Sequence, residues 1–122
     1  MGVRRVYEEG MLEKVVEMHL KEEVKKAGGE TRKARWVNRR GAPDEAVLFG
    51  GVYFVELKRP GGELNPHQLR EHVRMRRLGV EVFVLDSLSS VDRFIQYIKD
   101  RKDGKVPPKK VPANHNGSHF RE

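Results

Sequence analysis

Two short stretches of this chain carry residue types that phosphodiester chemistry needs: Pro43-Asp44 and, twelve residues beyond that aspartate, Glu56-Leu57-Lys58. On a β-strand side chains alternate between faces, so Glu56 and Lys58 would project together while the Leu57 carbonyl stays near them. Two carboxylates and a backbone carbonyl are hard oxygen ligands of the kind Mg²⁺ and Mn²⁺ take. One ammonium can offset charge building on phosphorus. The order of these groups points to metal-assisted cleavage of a phosphodiester. Neither stretch says so alone: Pro-Asp is a common turn start, and Glu-x-Lys at a strand end is usually a solvated edge.

The elements around them must bring the carboxylates together. Glu8 to Ala27 reads as a helix whose Met11, Leu12, Val15, Val16, His19 and Leu20 recur at buried-face spacing, with Gly28-Gly29 ending it. Thr31 to Val37 alternates like a strand, and Asn38 to Pro43 reads as loop. Glu45 to Phe49 and Val52 to Lys58 are two strands around Gly50-Gly51, a hairpin signal. A two-residue turn there pairs Asp44 with Leu57 and puts Asp44 on the face opposite Glu56. A three-residue turn, Phe49-Gly50-Gly51, pairs Asp44 with Glu56 directly. A shared metal requires the longer turn or a bulge.

Beyond a turn-rich loop, Asn65 caps a helix with Pro66 at its first position, running to about Leu78 and stopped by Gly79. Val80 to Leu85 is a buried strand. Ser87 or Ser89 starts a last helix with Val91, Phe94, Ile95 and Ile98 as its stripe. The order α-β-β-β-α-β-α describes an α/β domain, a mixed sheet flanked by helices, over residues 1–101, with a basic, flexible tail over 102–122.

At 122 residues one core is expected, and the absence of cysteine excludes a disulfide scaffold and thiolate zinc sites. No apolar run approaches a membrane span and the N-terminus lacks a signal-peptide pattern, so a soluble, cytoplasmic protein is expected. The net charge of +7 suits a polyanionic partner, although many small basic proteins bind none.

Taken together, Glu17, Gly28-Gly29, Arg40-Gly41-Ala42-Pro43-Asp44, Phe54-Val55-Glu56-Leu57-Lys58-Arg59-Pro60-Gly61, Gln68 and Leu78-Gly79 resemble the VRR-NUC family. That family belongs to the PD-(D/E)xK nuclease superfamily, and the resemblance runs from about Glu13 to Ile98. It implies a restriction-endonuclease-like fold and a Mg²⁺- or Mn²⁺-dependent endonuclease. Asp44 and Glu56 would ligate the metal with the Leu57 carbonyl, Lys58 would orient water and steady developing charge, and Gln68 would assist from the second helix. Glu17 corresponds best to the family's helical carboxylate and would bind metal directly or through water. Helical geometry alone does not separate it from Glu13, one turn earlier. Standalone members resemble Holliday junction resolvases that act as homodimers on four-way DNA junctions, with no small-molecule cofactor. The Tyr7–Met11 edge of the first helix is the surface nominated for pairing. Ala42 and Glu45 depart from the family's frequent valine and arginine, and Glu45 adds negative charge near the site.

Arg70, Arg74 and Arg77 share a helix face. With Arg40 and Arg59, which flank the motif, they are candidate nucleic-acid contacts, against the bland alternative of a solvated face. Lys33, Arg35 and Arg39 carry the same ambiguity. His67 and His72 are wrongly spaced for two ligands on one helix face, and His115 and His119 sit in the tail. Trp36 reads as core rather than a base-stacking platform. Two other functions remain open: cleavage of flaps, nicks or duplex ends, and a non-catalytic basic module that binds nucleic acid.

Overall fold

The structure is a computed structural model that describes the backbone of residues 2–108 and the side chains of residues 12–108. The Tyr7–Met11 side chains, His115, His119 and residues 109–122 lie outside that description. The chain runs α1 (Gly2–Ala27), β1 (Glu30–Lys33), β2 (Glu45–Leu48), β3 (Val52–Leu57), α2 (Pro66–Arg77), β4 (Val82–Leu85) and α3 (Leu88–Lys102). The expected element order holds. Four strands form one sheet in sequence order. β1–β2 and β2–β3 are antiparallel, and β3–β4 is parallel, with α2 as the crossover. This is the mixed sheet flanked by helices expected of a restriction-endonuclease-like fold.

Strand alternation divides the sheet into two chemically different faces. Val47, Phe49, Tyr53, Val55, Leu57, Phe83 and Leu85 join Val16, Leu20 and Val24 of α1 and Val91, Phe94 and Ile98 of α3 in one apolar core. Successive strand residues point oppositely, so Ala46, Glu56, Val82 and Val84, all buried, face the other way, towards α2 with its buried His72 and Met75. Burying the core side chains contributes roughly 1.5–3 kcal/mol each for the larger ones.

Two boundaries differ most from expectation. α1 begins at Gly2 rather than near Glu8, giving a helix about 39 Å long at 1.5 Å per residue. The longest strand has six residues, roughly 20 Å, so the helix must overhang the sheet. Leu12 is 43% exposed; Val15, beside the buried Val16, is 44% exposed because it points off the buried stripe of Val16, Leu20 and Val24. β1 stops at Lys33 and leaves Trp36 in the following loop. The last helix is capped by Ser87, whose side chain accepts from the Ser90 amide, and Val106 beyond its end packs against the core.

Candidate active site

The hairpin takes the longer turn. Leu48 pairs with Val52 and Glu45 with Val55, which leaves Phe49-Gly50-Gly51 in the turn and sets Asp44 opposite Glu56. The Ala34 amide donates to the Asp44 carbonyl at 3.0 Å, continuing the β1–β2 ladder to that residue. Directly opposed residues of an antiparallel pair share a face, so both carboxylates lie on the α2 side.

The loop before Asp44 is held at two points. The Trp36 indole N–H donates to the Pro43 carbonyl at 2.8 Å while its ring lies 5.5 Å from that of Phe54. Gly41, at φ +80°, lies so close to α2 that a Cβ would sit 2.3 Å from the His67 carbonyl oxygen. Only glycine fits there. Trp36, 37% exposed, is therefore not core; it fixes the residue preceding Asp44.

Gln68 is oriented by the helix cap. Its amide N–H donates to Asn65 Oδ1 at 2.9 Å and its side-chain Oε1 accepts from the Asn65 amide at 3.0 Å, a capping box. With Oε1 so engaged, Nε2 is the atom that faces Glu56, donating to Oε2 at 3.3 Å. One turn on, His72 places Nε2 3.7 Å from Glu56 Oε1. Gln68 and His72 are thus an i,i+4 pair on the inward face of α2, both directed at one carboxyl group.

The electrostatics are adverse to charge. Burial first, then the neighbouring Asp44 carboxylate, pushes the Glu56 carboxyl up to about 8. Burial raises Asp44 too, against the attraction of Lys33. Burial, then the Arg76 guanidinium, pushes His72 down to about 4, so its contact with Glu56 near neutral pH joins two uncharged groups. Among the described residues Asp44 Oδ1, Glu56 Oε1 and both His72 ring nitrogens are buried without a hydrogen-bond partner; so are both Glu45 oxygens, but there Lys33 Nζ stands 3.2 Å from Oε1 as an ion-pair partner. Such orphaned polar atoms are rare in folded proteins and commonly mark a missing ion or a catalytic role. Two carboxylates with an unsatisfied oxygen on each, and no ammonium in salt-bridge contact among the described residues, suit a divalent cation. Lys58 follows on the same strand direction, half-buried, and its charge favours ionised Glu56.

Glu17 stands apart from this pair. Lys33 Nζ lies 2.7 Å from its Oε2, which holds the carboxyl below its ordinary range, and Lys14 approaches to 3.6 Å. The same Lys33 lies 3.2 Å from the fully buried Glu45. Lys33 is therefore a structural counter-ion, and Glu45, facing α1, adds its charge away from the Glu56 side of the sheet. Glu13, Glu17 and Leu57 line a small cleft of about 120 Å³. The Glu13 charge raises Glu56, whereas the Glu17 charge acts on Asp44. Among the described residues no three His, Asp or Glu side chains converge tightly enough to hold an ion by themselves.

The candidate nucleic-acid contacts divide. Arg40, Arg70 and Arg74 line one cleft beside the 38–40 loop. Arg77 lines a second groove with Leu69, Val73 and Leu78, and Arg70 and Arg74 form the wall between the two. Arg59 lies exposed in the loop after β3. His72 is the residue that sequence reasoning missed. The readable signal was its place four residues after Gln68 and three before Met75, a stripe that had to meet the Glu56 face of the sheet.

No family model matches the sequence. A protein named "Putative nuclease p44" from Acyrthosiphon pisum secondary endosymbiont phage 1 is 49% identical over 80 residues, 62% of this chain and 86% of that protein. A solved structure described as a VRR_NUC domain superposes with a TM-score of 0.64 at 42% identity, covering 70% of this chain and 95% of that one. Among the described residues no helix is long and apolar enough to cross a membrane. With that identity across nearly the whole of a solved domain, the chain belongs to the VRR-NUC family.

Proposed function

We propose that this protein is a divalent-metal-dependent DNA endonuclease that resolves four-way junctions as a homodimer. One observation carries the nuclease reading: Asp44 and Glu56 are paired across β2 and β3, partly or wholly buried, and each keeps an oxygen unsatisfied. The relative named as a nuclease supports the same reading.

Asp44, Glu56 and the Leu57 carbonyl would hold Mg²⁺ or Mn²⁺, with Glu17 or Glu13 at the edge of the site. Such a cation supplies Lewis-acid polarisation of a phosphoryl oxygen and lowers the pKa of a coordinated water. Lys58, two residues from Glu56 on the same face, orients the incoming water and offsets charge growing on the phosphorus oxygens. Gln68 acts through Glu56: its Nε2 donor holds the carboxylate in one orientation, and its own orientation is fixed by the helix cap. A phosphate cannot approach two bare carboxylates without repulsion. The residues therefore favour substrate only once the cation is held.

A junction cut symmetrically needs two sites, and a second copy supplies the second one. Leu12, Val15 and Met18, exposed along one side of α1, are apolar surface that such a pairing would cover. Incubation of wild type and Lys58→Ala with synthetic four-way, flapped and linear DNA, with and without Mg²⁺, tests the reading. Paired symmetric nicks in the four-way substrate, dependent on metal and lost in Lys58→Ala, are expected. Absence of products from every substrate with either Mg²⁺ or Mn²⁺ would overturn it.

A further inference from the structure

Beside the carboxylate pair lies a second constellation, built from the loop before Asp44 and the adjacent face of α2. Arg39, Arg40, His67, Arg70, Glu71 and Arg74 line an open, polar cleft of about 310 Å³. Its one carboxylate is already neutralised: Arg39 grips Glu71 with two donors, Nη2 to Oε1 at 2.8 Å and Nε to Oε2 at 3.3 Å. Arg70 donates to His67 Nδ1 at 3.0 Å, which steadies its guanidinium over the cleft. Arg40 and Arg74 have no side-chain partner among the described residues. The cleft thus keeps three guanidinium charges in excess, from two elements that Gly41 packs against each other. Guanidinium forks match phosphate oxygens, and a cleft lined by one sign of charge concentrates the opposite one.

We propose that this cleft is a phosphate subsite that grips an internal, uncut phosphodiester of the nucleic acid whose neighbouring phosphate lies at Asp44 and Glu56. The proposal depends on the nuclease reading only for where the scissile phosphate lies. Arg40 and Asp44 are four residues apart, so at most about 14 Å of chain separates them. Phosphates of each strand of a duplex recur every ~3.4 Å of helix axis, and farther apart along the winding strand itself, so a strand crossing the carboxylates brings a neighbouring phosphate within that reach. Arg70, Arg74 and Arg77 climb one side of α2 in steps of about 6 and 4.5 Å. Such a row suits a run of backbone phosphates better than a single chain end. Arg70 and Arg74, walling both grooves, would let the strand continue past the cleft towards Arg77.

Affinity for a synthetic 30-base-pair duplex is measured in EDTA, where no cleavage occurs, across a salt series. The proteins compared are wild type, Arg70→Gln/Arg74→Gln, Arg40→Gln and a charge-matched control, Lys25→Gln/Lys99→Gln, on exposed faces of α1 and α3. The Arg70/Arg74 variant should bind roughly tenfold or more weakly near 0.1 M salt and lose about one to two from the salt slope; Arg40→Gln should lose about one. The lysine control should keep its slope, and duplexes with 5′-phosphate or 5′-hydroxyl ends should bind alike. Melting temperatures of all variants are measured beside binding, and Arg70→Lys/Arg74→Lys should recover most of the slope. Unchanged binding in the arginine variants, an equal loss in the lysine control, or dependence on the terminal phosphate would each overturn the proposal. A chain that cuts no DNA yet shows these slopes would lose the nuclease reading and keep the subsite. Normal cleavage with unchanged slopes would do the reverse.

Discussion

Glu45 and Glu56 sit on neighbouring strands, 0% and 5% exposed, and the fold treats them in opposite ways. Glu45 faces α1. The β1–β2 register sets Lys33 directly across from it, and the ammonium reaches both Glu45, at 3.2 Å, and Glu17, at 2.7 Å. Glu56 faces α2. Register sets another carboxylate, Asp44, across from it, and the helix above offers an amide and a neutral imidazole rather than a cation. Burying a charge is costly unless it is paired. On one face the chain supplies the counter-ion; on the other it supplies none in salt-bridge contact among the described residues, and the Glu56 carboxyl is instead pushed towards its neutral form, the arrangement from which the cation site is proposed.

The sharpest way to break that contrast is to remove the two carboxylates separately. Glu56→Gln or Asp44→Ala should lower metal-dependent cleavage by more than about 100-fold, since loss of even an outer partner of a metal ligand typically costs 10–100-fold. Glu45→Gln should leave turnover within a few-fold, measured at saturating Mg²⁺. Next, Gln68→Glu keeps a helix-capping acceptor but replaces the Nε2 donor with an anion beside Glu56. Cleavage should fall about 10–100-fold while melting temperature changes little.

Lys33→Met tests the other face. It strands Glu45 in the core and should lower stability by about 1–3 kcal/mol, read from urea unfolding. The lower end is favoured because the Lys33 side chain is 59% exposed and its pairing is screened by solvent. The remaining effect is a gain. Because burial and the Asp44 carboxylate push the folded Glu56 carboxyl up to about 8 from its ordinary 4.5, the native state holds more protons than the unfolded chain between those values. Stability contributed by protonated Glu56 is therefore full below about 4.5 and declines as pH rises towards 8. Glu56→Gln should remove that decline, raising stability at pH 8 and changing it little at pH 4 without metal, by urea unfolding at both.

What the sequence disclosed was local chemistry. Asn65-Pro66 announced α2 because capping and the fixed proline φ act within one turn, and Gly79 and Ser87 likewise marked their boundaries. The hairpin was legible as a hairpin, but register hung on whether Phe49 joined the turn, and only packing of the odd-numbered side chains into the core decides that. Lys33 looked like any other basic residue leading into the motif. Its role depends on pairing across β1 and β2 and on α1 lying over them, neither of which local spacing encodes. His72 was hidden for a similar reason: its significance appears only when the inward stripe of α2 is laid on Glu56.

Direct titration of Mn²⁺ into the metal-free protein at pH 8, comparing wild type with Glu45→Gln and Glu56→Gln, reads the contrast between the two faces without relying on cleavage. Wild type and Glu45→Gln should bind with similar affinity, and Glu56→Gln at least about tenfold more weakly. Equal binding by Glu56→Gln, or loss of binding in Glu45→Gln alone, would contradict the account.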